Sequence, residues 1–329
     1  MVDRIDISPL VADPQVRGDE ARRVAREIDR ACRTLGFFRV AGHGIPDDLI
    51  RRLELEARTF FAQPDAVKSR IGMAQAGAAR RGWFPVGGEL TSGRPDHKEG
   101  LYVGEDHPRD HPRVVAGVPL HGANLFPPGE LGPTVREWLG HMRPLAEVLM
   151  RGVAVGLGLE PQWFERHLTA EPTQLFRIFH YPARPTTSVA TDQYGVGEHT
   201  DYGLLTLLLQ DDRGGLQVRT PAGTWIDVPA EPGVLVCNLG DMLDKLTEGR
   251  YRSTPHRVKN TSAEGRLSFP YFFDPSWDAE VVPLPLDGTP PADDADRRWD
   301  ATSVHAWNGT YGDYLTAKVA RVFPDQGQA

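Results

Sequence analysis

A histidine and an aspartate, His199 and Asp201, are separated by one residue in the run Gly-Glu-His-Thr-Asp-Tyr-Gly. Because residues i and i+2 of an extended segment face the same side, the imidazole and the carboxylate can converge on one point. Such a pair is common by chance, so a third ligand is needed, and His256 is the best candidate because it begins another strand-like segment. Two histidines and one carboxylate on one face of an octahedral ion bind Fe(II) and leave three coordination positions open.

A second pair with the same spacing, Arg266 and Ser268, follows ten residues after His256. A guanidinium presents a planar fork to a carboxylate, and a hydroxyl adds one more donor, so the pair predicts a carboxylate anchor on a strand. An arginine on a solvated strand face is the alternative. That alternative fits poorly with the apolar residues around the pair, which are Leu267, Phe269 and Tyr271.

The elements that must position these residues follow from the hydrophobic pattern. Apolar residues at helical spacing, with Gly and Pro at the ends, predict helices over 19–35, 46–62, 133–156 and 311–322. After Pro172 the pattern changes to short runs separated by turns, which predicts strands over 175–181, 204–210, 216–220, 225–228, 234–238 and 267–273. We therefore predict a mainly β fold with a helical N-terminal part and a sandwich or jelly-roll core.

Composition excludes several other classes of protein. The 329 residues are 40% hydrophobic and 25% charged, with a net charge of −8, which is ordinary for a globular chain and gives no support for nucleic-acid or anionic-membrane binding. We expect a small-molecule partner. Two distant cysteines, Cys32 and Cys237, make no disulfide framework, and no signal peptide or membrane span is visible, so we expect a cytoplasmic protein.

With these motifs in order, the chain resembles the 2-oxoglutarate-dependent Fe(II) oxygenases of the isopenicillin N synthase-like class. The resemblance covers most of the chain. Its motifs are Gly36-Phe37-Phe38, Gly42-His43-Gly44-Ile45, His199-Thr200-Asp201, Gly215-Leu216-Gln217-Val218, Trp225, Asn238-Leu239-Gly240-Asp241-Met242-Leu243, His256-Arg257-Val258 and Arg266-Leu267-Ser268. It implies a double-stranded β-helix core with a helical N-terminal part packed against it.

The resemblance also implies a reaction and a co-substrate site. Fe(II) would be bound by the triad, 2-oxoglutarate would be held through its far carboxylate, and O₂ would take the remaining position. Succinate and CO₂ would be released as a small-molecule substrate is hydroxylated, desaturated or cyclised. The co-substrate residues implied are Arg266, Ser268 and Tyr181. Many plant members have Asn where this chain has Phe179, and either Arg177 or water could compensate for that difference.

Other residues and boundaries complete the predictions. A loop with adjacent cations and an aromatic, Arg80, Arg81 and Trp83, could hold an acidic substrate or could simply be surface. His107 and His111 are interpreted as residues of a solvated loop, and Asp241 as a helix N-cap. The predicted segments are an N-terminal dioxygenase-type region at 1–115, linking helices at 116–171, the core at 172–278 and a C-terminal tail with a helix at 279–329.

Three alternatives stay open at this point. An oxidase of isopenicillin N synthase type would use the Arg-Xaa-Ser pair for a substrate carboxylate and would need no 2-oxoglutarate, and a related variant would fragment 2-oxoglutarate to ethylene. A protein of another class, a non-catalytic jelly-roll that binds a metal, has no need of a dicarboxylate anchor. The sequence predicts neither the primary substrate nor the oligomeric state.

Overall fold

The strands form two sheets that face each other. The computed structural model describes residues 1–91, 93–183, 194–259, 263–292, 298 and 302–322. Its strands are β1 (Asp3–Asp6), β2 (Phe37–Ala41), β3 (Gly82–Phe84), β4 (Glu99–Gly104), β5 (Pro172–Tyr181), β6 (Val196–His199), β7 (Leu205–Gln210), β8 (Leu216–Arg219), β9 (Trp225–Asp227), β10 (Leu235–Leu239), β11 (His256–Val258) and β12 (Arg266–Ser276). The larger sheet has the order β1-β2-β10-β7-β12-β5-β4-β3 and the smaller one β6-β11-β8-β9.

The described residues also form nine α-helices, several of which pack against the larger sheet. They are α1 (Ser8–Ala12), α2 (Asp19–Thr34), α3 (Asp47–Phe61), α4 (Asp65–Lys68), α5 (Pro112–Val115), α6 (Leu131–Gly156), α7 (Trp163–His167), α8 (Asp241–Leu246) and α9 (Tyr311–Val322). The apolar stripe of α2 is buried against α6, and both helices pack towards the sheet, where Trp138 of α6 meets Phe176 of β5. None of the helices in these described ranges is long and apolar enough to cross a bilayer.

Burial differs between the two sheets because of what covers them. Every residue of β7 is buried, since helices lie on one side of this central strand and the inter-sheet cavity lies on the other. In β8 buried and half-buried residues alternate, as expected for a strand of the outer sheet with one face towards solvent. The predicted mainly β, jelly-roll architecture with N-terminal helices is confirmed.

Three local predictions need correction. The region before residue 105 is less helical than its pattern suggests, because β1 to β4 are paired into the larger sheet. His199 ends β6 and does not begin a strand, so Asp201 lies in the following loop. Asp241 is the first residue of α8 and is not its N-cap, because Gly240 occupies that position and makes no side-chain cap.

The segment boundaries remain a prediction. Strands from residues 3–104 and from residues 172–276 share one sheet, so the N-terminal region and the core are joined by backbone hydrogen bonds. Parts of the predicted C-terminal tail, at 293–297, 299–301 and 323–329, lie outside the described residues.

Candidate metal centre and co-substrate pocket

Strand pairing brings the three candidate metal ligands together. His199 at the end of β6 lies directly opposite His256 at the start of β11, and their ring centroids are 4.2 Å apart. The Nε2 atoms of both rings lie 3.7 Å from Oδ1 of Asp201. One ligand atom from each residue lies within 4.8 Å of the others, which is the spacing that a single ion can bridge.

Backbone carbonyls orient both imidazoles. Nδ1 of His199 lies 2.8 Å from the carbonyl of Gly197, and Nδ1 of His256 lies 3.1 Å from that of Thr254. A ring that donates its Nδ1 proton to a carbonyl keeps the Nε2 lone pair for a metal. Burial, and then the neighbouring His256, lowers the pKa of His199 to about 3, so the imidazole is in the neutral form that a metal requires.

One carboxylate oxygen of Asp201 accepts hydrogen bonds, and the other faces the two histidines. Its Oδ2 accepts hydrogen bonds from Thr206 Oγ1 at 2.6 Å and from Asn238 Nδ2 at 2.7 Å, which leaves Oδ1 facing the two histidines. Burial alone would raise the pKa of Asp201, but the imidazoles and these hydrogen bonds lower it overall. One carboxylate beside two imidazoles is the donor set that suits Fe(II).

Asn238 provides the first testable prediction. Replacing it with Ala removes one of the two donors that orient Asp201, and we expect metal affinity to fall roughly 10- to 100-fold, the usual effect of losing such a partner. The measurement is a titration of the metal-free variant with Fe(II) under anaerobic conditions. The matched control is Asn308→Ala, which changes an exposed asparagine. Unchanged affinity in the Asn238 variant would contradict an orienting role.

The predicted carboxylate anchor lies on β12, next to β5. Arg266 is fully buried and pairs in register with Tyr181, and its guanidinium carbon lies 4.8 Å from the centre of the Tyr181 ring. Its Nε donates to the carbonyl of Gly214 and one Nη to Gln210, but the other Nη is buried without a hydrogen-bond partner among the described residues. Ser268 Oγ lies 3.3 Å from the Tyr181 hydroxyl. This group of donors fits the far carboxylate of 2-oxoglutarate.

The cavity extends past the metal ligands into a set of charged residues that the sequence analysis missed. These residues are Glu89, Lys98 and Asp274, and they line the cavity together with Thr91, Arg177, Tyr202 and Leu315. Lys98 is buried with its Nζ 2.7 Å from Glu89 and 2.6 Å from Asp96. Although burial opposes it, these two carboxylates raise the pKa of Lys98, so the ammonium stays charged.

Arg177 lies on the same face of β5 as Phe179 and Tyr181. Its guanidinium is stacked between two rings, 4.3 Å from the centre of Tyr102 and 4.8 Å from that of Phe272, and its Nη1 is 3.5 Å from Glu89. Its Nε is buried without a hydrogen-bond partner in the described part of the chain. Arg177 is therefore a buried cation with donor capacity to spare on the cavity wall.

Asp274 ends the inward-facing row of β12. Its Oδ2 accepts a hydrogen bond from Tyr311 of α9 at 2.5 Å, and its Oδ1 is buried with no hydrogen-bond partner in the described ranges. A Cβ at position 203 would lie 1.4 Å from that oxygen, so only glycine leaves room for the carboxylate. Burial raises the pKa of Asp274 to about 7.

The raised pKa of Asp274 predicts a stability effect in the metal-free protein. The unfolded carboxyl ionises near pH 3.8 and the folded one near pH 7, so the folded state loses stability as the pH rises between these values. We expect Asp274→Asn to gain about 2–3 kcal/mol of unfolding free energy relative to the wild type between pH 5 and pH 8. Denaturant unfolding at both pH values measures this. The exposed control Asp110→Asn should show no such change, and a pH-independent difference for Asp274→Asn would contradict the prediction.

None of the three residues of the predicted substrate loop lines the catalytic cavity. Trp83 is buried, and its indole donates to Glu99, away from the residues that line the catalytic cavity. Arg80 and Arg81 also lie outside that lining and instead line a narrow neighbouring cavity. His107 and His111 are not in the solvated loop that was predicted, because both are half-buried and His111 is the N-cap of α5. They gather with His121 around a separate cavity.

Comparisons with protein families agree with this geometry. Residues 2–129 match the family described as non-haem dioxygenase in morphine synthesis, N-terminal. Residues 172–275 match the 2OG-Fe(II) oxygenase superfamily. The second match contains both metal-ligand strands and the arginine anchor.

Similar proteins extend over nearly the whole chain. A probable iron/ascorbate oxidoreductase of Dictyostelium discoideum is 44% identical over 327 residues, covering 92% of this chain and 89% of that protein. A homoarginine-6-hydroxylase of Glycine max is 37% identical over 331 residues, covering 98% and 97%. The crystal structure of a full-length Neurospora crassa protein in complex with alpha-KG and thymine is similar with a TM-score of 0.77 at 27% identity, covering 97% and 96%.

Proposed function

The chain belongs to the 2OG-Fe(II) oxygenase superfamily, and we propose that three of its residues bind the iron and three others bind 2-oxoglutarate. The proposed iron ligands are His199, Asp201 and His256, and the proposed 2-oxoglutarate ligands are Arg266, Ser268 and Tyr181. The enzyme is a 2-oxoglutarate-dependent dioxygenase that acts on a small molecule. The observation that supports the residue assignment most directly is the pair of oriented Nε2 atoms, both 3.7 Å from the open oxygen of Asp201.

The residues of this chain position the reactants and keep water away from them. Bound Fe(II) and 2-oxoglutarate supply the oxidation of a substrate C–H bond by O₂, with release of succinate and CO₂. Arg266, Ser268 and Tyr181, which line the cavity, would hold the far carboxylate. Apolar side chains from both sheets, Leu208, Leu216, Val196 and Val258, form the walls between that anchor and the metal ligands, and they exclude water from the reacting atoms.

We infer that the substrate carries a cationic nitrogen group, an amine or a guanidine, and that it is hydroxylated. Two buried carboxylates, Glu89 and Asp274, line the cavity, and Glu89 is already paired with Lys98, whereas Asp274 has one oxygen without a hydrogen-bond partner among the described residues. A buried carboxylate is stabilised by a cation or a strong donor. The Glycine max relative is named for hydroxylating homoarginine, a compound of this class.

A substrate panel with a matched variant tests this inference. We expect succinate formation from 2-oxoglutarate with homoarginine, arginine or lysine, and little with their uncharged analogues citrulline and norleucine. Asp274→Asn should raise the KM for the cationic substrate by roughly 10- to 100-fold, the effect of losing a hydrogen bond to a charged group, with a smaller change in kcat. The exposed control Glu130→Gln should behave as wild type. Equal turnover of charged and uncharged compounds would contradict the inference.

We also propose that the protein works in the reducing cytoplasm, without nucleic-acid or membrane partners. In support, Cys32 and Cys237 are both buried and unpaired, and burial raises the pKa of both thiols, which makes them unreactive. The net charge of −8 opposes binding to polyanions.

A further inference from the structure

A second cavity lies at the beginning of β5. Its volume is about 320 Å³, compared with about 80 Å³ for the catalytic cavity. Its lining is rich in cations and histidines. The lining residues that matter here are Arg81, His107, His111, Arg113, His121 and Arg143. We call this space the histidine cavity.

The three histidine rings are stacked on one another. The ring centroids of His107 and His111 are 4.4 Å apart and those of His107 and His121 are 5.0 Å apart, with small angles between the ring planes. Burial lowers the pKa of His107 and of His121, and the nearby Arg81 and Arg113 lower both further. Parallel rings beside arginines do not have the converging geometry of a metal site, but their N–H groups can donate to an anion.

Arg81 is the residue in this cavity that lacks a paired counter-charge. It is 2% exposed, and no described carboxylate lies within ion-pair distance of it, since Glu105 and Asp106 act on it only from farther away. One Nη donates to the carbonyl of Leu120 at 2.6 Å, while Nε is buried without a hydrogen-bond partner in the described ranges. Burial lowers the pKa of Arg81 to about 10. A buried guanidinium without an anionic partner destabilises a fold, so an anion from outside the chain would stabilise it.

The backbone is shaped around this side chain. A Cβ on Gly104 would lie 2.1 Å from Nη2 of Arg81, so glycine is needed at this place on β4. Leu120, which accepts the hydrogen bond, has a left-handed backbone with φ of 64°, an unfavourable conformation for leucine. The guanidinium is therefore fixed in position beside the cavity and is not a mobile surface group.

We propose that the histidine cavity is a second binding site, which takes a small anion, a carboxylate or an inorganic oxyanion, on Arg81 and the stacked histidines. The other two arginines already have partners, since Arg113 pairs with Asp278 and Arg143 with Glu147. They contribute positive electrostatic potential more than direct hydrogen bonds. Two acids, Glu105 and Glu171, also line the cavity, so the site favours a small anion held close to Arg81 over a bulky polyanion.

The site adjoins the catalytic cavity. A narrower cavity shares Arg81 and Leu120 with the histidine cavity and shares Arg177 with the catalytic one, and Leu175 lines all three. Arg81 and Arg177 thus both line the narrower cavity together with Leu175. An acidic molecule bound in the histidine cavity would be next to the catalytic one. The proposal concerns binding alone and does not depend on the reaction.

Histidine-selective NMR of the full-length protein tests the proposal. The protein is labelled at ring carbon Cε1, loaded with Zn(II) and saturated with 2-oxoglutarate, and then titrated with inorganic phosphate in one arm and acetate in the other at constant ionic strength. Signals are assigned with His107→Gln, His111→Gln and His121→Gln. We expect saturable shifts of these three signals with at least one probe, and no shift of the His199 and His256 signals. The arm that saturates at lower concentration identifies oxyanion or carboxylate as the preferred ligand.

Variants of the guanidinium decide whether Arg81 is the anchor. Arg81→Gln should weaken the apparent affinity by roughly tenfold or more, because a charged hydrogen-bond donor is lost. Arg81→Lys keeps the charge but loses the forked guanidinium, so its affinity should lie between that of the wild type and that of Arg81→Gln. Arg109→Gln changes an exposed arginine in the same region and should match the wild type. Absence of saturable shifts with both probes in the wild type would overturn the proposal. So would equal affinity of the folded Arg81 variants and the wild type.

Discussion

Replacement of Asp201 by Ala is expected to reduce succinate formation to the background rate of an enzyme-free control. The change removes the one carboxylate from a donor set otherwise made of two imidazoles, so the Fe(II) charge loses its protein counter-ion as well as a ligand. We expect a larger loss of metal affinity than the roughly 10- to 100-fold predicted for Asn238→Ala, which only reorients the carboxylate. The measurements are bound iron after anaerobic desalting and succinate formed per minute.

A folded control keeps this result interpretable. Asp110→Ala changes an exposed aspartate and should retain full iron and full turnover. Removal of the metal from the wild-type enzyme with a chelator should reproduce the Asp201→Ala result, and Fe(II) should restore the wild type but not the variant. Wild-type turnover by a folded Asp201→Ala protein would contradict the assignment of the triad.

Replacement of Arg266 by Gln is expected to weaken 2-oxoglutarate binding by about 2–5 kcal/mol, on the order of 30- to several-thousand-fold. Arg266 is fully buried with an unpartnered Nη, so the variant loses a charged donor and leaves the co-substrate carboxylate in a dry site without its cation. The measurement is the KM for 2-oxoglutarate, together with direct binding to the Zn(II)-loaded protein.

The matched control for Arg266 is a surface arginine. Arg136→Gln, on the exposed side of α6, should leave the KM unchanged. Iron content should also stay unchanged in Arg266→Gln, because none of its hydrogen-bond partners is a metal ligand. A KM within twofold of the wild type would show that Arg266 does not hold the co-substrate.

The candidate metal ligands and the candidate carboxylate anchor could be selected from the sequence because both involve short spacings. Arg266 and Ser268 are two residues apart on β12 and face the same side. His199 and Asp201 have the same spacing, but Asp201 reaches the site from the loop that follows β6. His256 was found because it begins a strand-like run. Its placement opposite His199 depends on the pairing of β6 with β11, which the sequence does not show.

The charged residues that line the cavity could not be predicted from the sequence in the same way. Glu89 and Lys98 lie in and after a loop where no periodic pattern exists, and they reach the cavity because β4 adds to the larger sheet beside β5. Asp274, by contrast, could have been predicted from the sequence. Counting every second residue along β12 from Arg266 leads through Ser268 to Asp274, all on the face that lines the cavity. Extending the alternation past the recognised motif would have found it.

The types of secondary-structure element were more predictable than the way in which the strands pair. Helical spacing marked α2, α3, α6 and α9 correctly, since each buries one apolar stripe. The strand β1 was harder to assign because it is short and lies beside a helix, whereas the mostly apolar run 37–40 in the sequence already indicates β2. The strand β1 pairs with β2, and β2 pairs in turn with β10, so both are held by long-range pairing and not by local pattern.

The most direct test of the proposed iron and co-substrate site is the ratio of succinate formed to O₂ consumed by the Fe(II)-loaded enzyme with a turned-over substrate, measured with and without 2-oxoglutarate. Binding of 2-oxoglutarate at Arg266 next to the His199–Asp201–His256 centre predicts O₂ uptake that depends strictly on 2-oxoglutarate, with one succinate formed per O₂. Substrate-dependent O₂ uptake that continues without 2-oxoglutarate and yields no succinate would contradict it.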